Sequence, residues 1–163
     1  MENLCVVVAD QGRARIFLLE ESDAPRAPFR LVERDDLTNA DLRSRGRSVT
    51  GRVRTETNTN REAGPVHPMG AQRERHRIEL ERRFSVEIAR KAAVLARNWS
   101  TGSVVLVADP RMLGFLRDAV RGALKPGISV KELAKDYAGL TASRLQDHLA
   151  ENGVVPARRG GAS

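Results

Sequence analysis

Two short valine-dominated runs, NLCVVVA at residues 3–9 and SVVLVADP at 103–110, restrict the possible folds more than any other feature of this chain. Neither alternates apolar with polar residues. A strand with one wet face must alternate, so these runs belong in a sheet whose two faces are both covered, typically with parallel central strands and helices as the cover. Asp10-Gln11-Gly12-Arg13 interrupts after the first run, and ARIFLLE follows at 14–20, the pattern of a hairpin. Beyond the proline-bounded turn SDAPRAP, the segment FRLVERDDL sets Phe29, Leu31 and Glu33 against Arg30, Val32 and Arg34. That alternation predicts a third, more exposed antiparallel strand.

The period then changes. Leu80, Phe84, Ile88, Ala92, Leu95 and Trp99 recur at steps of three and four, which predicts one buried stripe on a long helix over roughly 72–98. Gly102 ends that segment before the second valine run. Asp109 followed by Pro110 is an N-cap and first-position pair, opening a helix that carries Leu113, Leu116, Val120 and Leu124. KPG stops it, ISVKEL reads as a short strand, and TASRLQDHLAENG is a last helix, with Thr141 as N-cap and Gly153 near its C-cap. The order β-β-β-α-β-α-β-α predicts a mixed sheet with helices on its faces and the valine runs as central, parallel neighbours. That is the ribonuclease H-like class of α/β fold. The pattern fits one domain over 1–152, with an unstructured tail at 153–163.

Residues from about 38 to 70 show no periodicity, contain TNTN at their centre, and read as a flexible loop with a functional purpose. The charge is concentrated there. The whole chain carries +7, yet the stretch from Arg43 to Arg77 alone holds nine arginines against three acids. A genome rich in arginine codons would explain 24 Arg against 4 Lys, but not their clustering. Such a cluster is the electrostatic footprint expected for a polyanion. Arg43, Arg45, Arg47, Arg52, Arg54 and Arg61 form the arm, and Gly70, Gln72, Arg73, Arg75 and Arg77 complete the candidate nucleic-acid-binding set near the expected helix start, whose free N–H groups also favour anions. Aromatic residues are nearly absent from the arm, which points away from base stacking and toward structured RNA gripped by its phosphates. No apolar stretch reaches the ~20 residues of a membrane span. The lone Cys5 and the lack of a signal-peptide pattern fit a reduced, cytoplasmic setting.

VVVADQGRARIFLLE, ERRFSVEIARKAAVL, VVLVADPRMLGFLRDAV and KELAKDYAGLT together resemble the bacterial host attachment protein family. That family is similar to the middle domain of the eukaryotic and archaeal peptide-chain release factors. The resemblance spans roughly residues 3–150 and implies a ribonuclease H-like fold of the translational-machinery type. In the release factors a Gly-Gly-Gln tip before the long helix promotes peptidyl-tRNA hydrolysis. The analogous place here reads Gly70-Ala71-Gln72. Alanine pays a steric penalty in the backbone conformations that paired glycines reach, so the resemblance carries Gln72 over as a weak catalytic candidate.

Other chemistry is sparse. Asp10 and Asp109 follow the two central strands and are candidates for a two-metal nuclease, with Asp136 or Glu33 needed to complete the set. The competing expectation makes Asp10 a turn residue and Asp109 a helix cap. His67, His76 and His148 show no metal-ligand spacing. No glycine fingerprint for a nucleotide and no nucleophile elbow is present, so no cofactor is implied. The sequence therefore predicts a non-catalytic RNA- or ribosome-associated protein, with rRNA or tRNA as partner, acting by resemblance in translation stress, rescue or hibernation. The alternatives are a hydrolase working through Gln72 or through Asp10 and Asp109, and a protein-interaction module whose arm meets an acidic partner.

Overall fold

A computed structural model describes residues 2–40 and 67–158. Among them the chain forms strands β1 (Leu4–Ala9), β2 (Arg13–Glu21) and β3 (Phe29–Thr38), then helix α1 (His67–Leu95). Strand β4 (Gly102–Ala108), helix α2 (Pro110–Ala123), strand β5 (Ile128–Ala134) and helix α3 (Ala142–Glu151) complete it. The sheet runs β3-β2-β1-β4-β5. β1 pairs antiparallel with β2, and β2 with β3, whereas β1–β4 and β4–β5 are parallel. This is the expected mixed ribonuclease H-like sheet.

Every residue of β1 and of β4 is buried, and the alternation missing from the sequence reappears as a division between two cores. Cys5, Val7, Val104 and Leu106 face α1 and α2, where they meet Phe84, Ile88, Ala92, Met112, Leu116 and Val120. Val6, Val8, Val105 and Val107 face α3, where they meet Leu145 and Leu149. The stripe on α1 is core as expected, although the helix ends at Leu95 and leaves Trp99 to pack from the following turn. Asp109 caps α2 by accepting from the Met112 N–H at 2.9 Å, and Thr141 caps α3 by accepting from the Arg144 N–H at 3.3 Å. Gly127, in the turn before β5, has φ +97°, and a Cβ there would lie 2.7 Å from the Ser100 carbonyl oxygen. Both facts call for glycine.

The boundaries differ from expectation in two places. α1 begins at His67, five residues before the expected 72, so the Gly-Pro punctuation at 64–65 precedes the helix and Gly70 lies inside it. The chain after α3 is also better anchored than a bare tail. Val155 is buried, and the Arg158 guanidinium makes two 2.9 Å hydrogen bonds to the Asp147 carboxylate.

The outer edge of β3 is closed by a side chain. Gln146, wholly buried on α3, accepts from the Leu31 N–H at 3.1 Å and donates to the carbonyls of Phe29 at 3.0 Å and Pro156 at 3.2 Å. It takes the place of a neighbouring strand, satisfying edge groups that would otherwise be buried unpaired. Gln146→Leu keeps the volume but orphans these groups, at about 1–3 kcal/mol for each fully buried one. The expected result is a loss of roughly 2–3 kcal/mol in urea unfolding, with the unfolding still cooperative.

Candidate functional site at the carboxyl edge of the sheet

β4 feeds α2 on one face of the sheet, and β5 feeds α3 on the other. Chains that leave neighbouring parallel strands in opposite directions open a crevice at the strands' carboxyl ends. A cleft of about 510 Å³ lies there, lined by Ala9, Asp10, Gln11, Gly12, Arg77, Asp109 and Asp136. The fold thus brings together Asp10 and Asp109, as their positions after the two valine runs predict. Asp136, at the end of β5, joins them.

Glu33 does not. It accepts at 2.6 Å from Arg15, whose guanidinium also donates to the Ala138 and Leu140 carbonyls and lies over the Phe17 ring. Arg15 so ties the loop before α3 to β2. Next to the cleft, Arg13 makes hydrogen bonds of 2.9 and 2.7 Å to the Asp36 carboxylate and holds its pKa below the ordinary carboxylate value.

Two of the three carboxylates at the cleft, Asp10 and Asp109, have structural work. One Asp10 oxygen accepts from the N–H groups of Gly12 and Arg13, both at 2.8 Å, and shapes the β1–β2 turn. Asp109 is the helix cap described above. Among the described residues, no three His, Cys, Asp and Glu side chains converge closely enough to hold a metal ion. Burial pushes the Cys5 thiol up to about 12, far from a reactive thiolate.

α1 supplies the other wall. Arg77 donates to the Gln11 side-chain oxygen at 2.6 Å and stands 3.7 Å from Glu81. Glu81 is 1% exposed, and its second oxygen takes two hydrogen bonds from Arg111, at 2.9 and 2.5 Å. Arg111 reaches Glu74 as well, at 3.1 Å. This arginine clamp joins α1 to α2 beside the cleft. Sequence reasoning missed it, because Glu81 lies one position from the apolar stripe and its partner is 30 residues away. The only signal was an acid adjoining a core-facing Leu80.

Gly70, Ala71 and Gln72 are exposed and helical. Gly70 does not adopt a left-handed backbone, and a Cβ there would meet nothing within 4 Å. The tripeptide is therefore part of a regular helix; it is neither a hinge nor a strained tip. The early start of α1 also separates Arg73, Arg75 and Arg77 from its free N–H groups. Those belong to the first turn, residues 67–70 without the N–H-less Pro68, and the arginines follow three to ten residues on, roughly 5–15 Å along the axis. Arg73 and Arg75 project outward, while Arg77 turns to the cleft. His67 is the first residue of α1, His76 is half-buried, and His148 stacks on Tyr137 with ring centroids 5.1 Å apart. The arm residues Arg43, Arg45, Arg47, Arg52, Arg54 and Arg61 lie outside the described residues.

Fold and cleft define a small mixed α/β protein with a polar crevice at its switch point and an arginine-rich helix beside it. The chain belongs to the family of proteins required for attachment to host cells, whose model matches residues 5–149. No curated protein matches it significantly. No described helix is long and apolar enough to cross a membrane.

Two predictions follow from the local chemistry. Asparagine caps helices as well as aspartate does, so Asp109→Asn should leave stability nearly unchanged, whereas Asp109→Ala should cost about 1 kcal/mol in chemical unfolding. A carboxylate needed for its charge would lose as much in the first variant as in the second. Asp36, its pKa held low mainly by the Arg13 hydrogen bonds, contributes stability that is complete above the ordinary value of 3.8. That contribution is lost as pH falls through the lowered native value. In unfolding titrations from about pH 5 downward, Asp36→Asn should flatten part of the acid-side loss.

Proposed function

We propose that this protein is a non-catalytic RNA- or ribosome-associated member of its family, binding rRNA or tRNA through phosphate contacts. The observation that carries the reading is the clustering of charge, nine arginines against three acids between Arg43 and Arg77. Arginine forks match phosphate oxygens and give affinity without sequence specificity. Arg73 and Arg75 are exposed on a helix, and in the sequence they follow Arg43, Arg45, Arg47, Arg52, Arg54 and Arg61.

The absence of turnover from this reading has its own support. Asp10 and Asp109 accept backbone hydrogen bonds, the Cys5 thiol is held protonated, and Gln72 sits on regular helix. Similarity to release-factor middle domains favours a cytoplasmic role in translation stress, rescue or hibernation. On this reading, attachment to host cells, the property in the family's description, is a downstream consequence of altered protein synthesis.

Co-sedimentation with ribosomes tests it. The wild type should travel with ribosomal particles at low salt and be released as salt rises. A variant with Arg45, Arg47, Arg52 and Arg54 changed to Glu should stay at the top of the gradient. In filter binding to duplex RNA, replacing the same four arginines with Ala should flatten the log–log salt slope by roughly 3. Gln72→Ala should bind as the wild type does. Wild-type protein that stays unbound at both salts would sink the proposal.

A further inference from the structure

The outward side of α1, away from the cleft, has a pattern of its own. Among the described residues the exposed large hydrophobics are Val86, at 39%, and Val94, at 56%. Scattered surface valines need no explanation, but these two share one face of one helix, two turns apart. Arg90 lies midway between them. Arg83 and Arg97 lie three residues beyond each valine, and Lys91 lies alongside. All four cations are exposed.

The cations are poorly neutralised. Arg83 shares Glu79 with Arg82, at 3.4 and 3.3 Å. Neither Arg90 nor Lys91 makes an ion pair among the described residues, and Arg97 is engaged only through its backbone, its N–H donating to the Val94 carbonyl and its own carbonyl accepting from Lys125. Glu87 is the lone acid within the stretch 83–97. The face is a small apolar ridge, Val86-Arg90-Val94, fenced by positive charge.

We propose that this face docks an acidic amphipathic helix of a partner protein. Residues at 86, 90 and 94 form a row of the i±4 kind, the ridge that packs into the groove of a second helix. The complementary helix carries two aliphatic side chains that straddle Arg90, with Asp or Glu on either flank to meet Arg83, Lys91 and Arg97. Self-pairing does not satisfy the face. An antiparallel copy that sets Val86 against Val94 also sets Arg90 against Arg90 and Arg83 against Arg97, and such like-charge contacts are unfavourable. RNA would use the cations and leave both valines unused. A protein helix uses the whole pattern, with an apolar centre and a charged rim. None of these residues is assigned to the proposed RNA grip, so either inference can fail without the other.

The test is titration of isotope-labelled full-length protein with a designed helical peptide of about 20 residues, spanning ~30 Å, with Leu on one face and Glu on its flanks. The same peptide with Lys in place of Glu, and an RNA duplex, serve as comparisons. The acidic peptide should shift amide signals within residues 83–97, and raised salt should weaken it. Arg90→Glu and Val94→Asp should each reduce its affinity by about tenfold or more, and Val94→Ala by several-fold, with melting curves unchanged. Shifts elsewhere on the protein, no shifts at millimolar peptide, or equal binding of the Lys peptide would overturn the proposal. So would an RNA duplex that shifts the same residues and loses affinity equally in Val94→Asp.

Discussion

The parallel pairing of β1 with β4, buried on both faces, is the contact on which the rest of this structure depends. It joins residues nearly a hundred positions apart, with Cys5 beside Val104 and Val7 beside Leu106. Its backbone groups are satisfied within the sheet, so its side chains can be apolar on both sides. Each buried valine or leucine contributes roughly 1.5–3 kcal/mol, enough to exceed the ~1–2 kcal/mol cost of ordering its backbone. The balance holds only while both faces stay covered. That requirement sets α1 and α2 on one side and α3 on the other, with Gln146 closing the β3 edge above the second core.

The same pairing decides what gathers at the carboxyl edge. Each parallel strand ends in a turn that needs an acceptor for free N–H groups, and aspartate supplies one cheaply. Asp10 and Asp109 are met there, in one cleft, for a reason of chain geometry. In a ribonuclease H-like fold such an arrangement resembles a metal site in outline. The hydrogen bonds point to a different use: Asp10 closes a hairpin and Asp109 starts a helix. Shared location is a weak guide to chemistry when the location itself creates a structural demand for the same residue type.

Much of this was legible in the sequence, and the division follows the range of the signals. Strand and helix identity come from local periodicity, and capping by Asp109 and Thr141 from residues within three positions. The parallel neighbours follow from runs too apolar to have a wet face. α1 starts before its apolar stripe does, where no periodic signal marks it; a helix fixed by that stripe tolerates an exposed Gly70 at a cost of about 1 kcal/mol. The Glu81–Arg111 clamp, the Gln146 edge closure and the Arg15 tether were not legible. Each joins residues 30 or more positions apart, and single polar side chains leave no periodic trace.

α1 owes its functional interest to a division of labour along one rigid rod. Its middle face is fixed by Leu80, Phe84, Ile88 and Ala92, and the Arg111 clamp holds its first half against α2. A helix held this firmly cannot adapt its backbone to a ligand, so whatever binds must match a preset spacing. Preset spacing lowers the ordering cost of binding, which is the larger obstacle for surfaces built from long, mobile arginines. The arginines of its first turns are thus presented at constant separation. Its second half offers valines and further cations two or more turns along the rod. One buried stripe therefore makes two outward surfaces usable at once, and the length of the helix, 29 residues, keeps them apart.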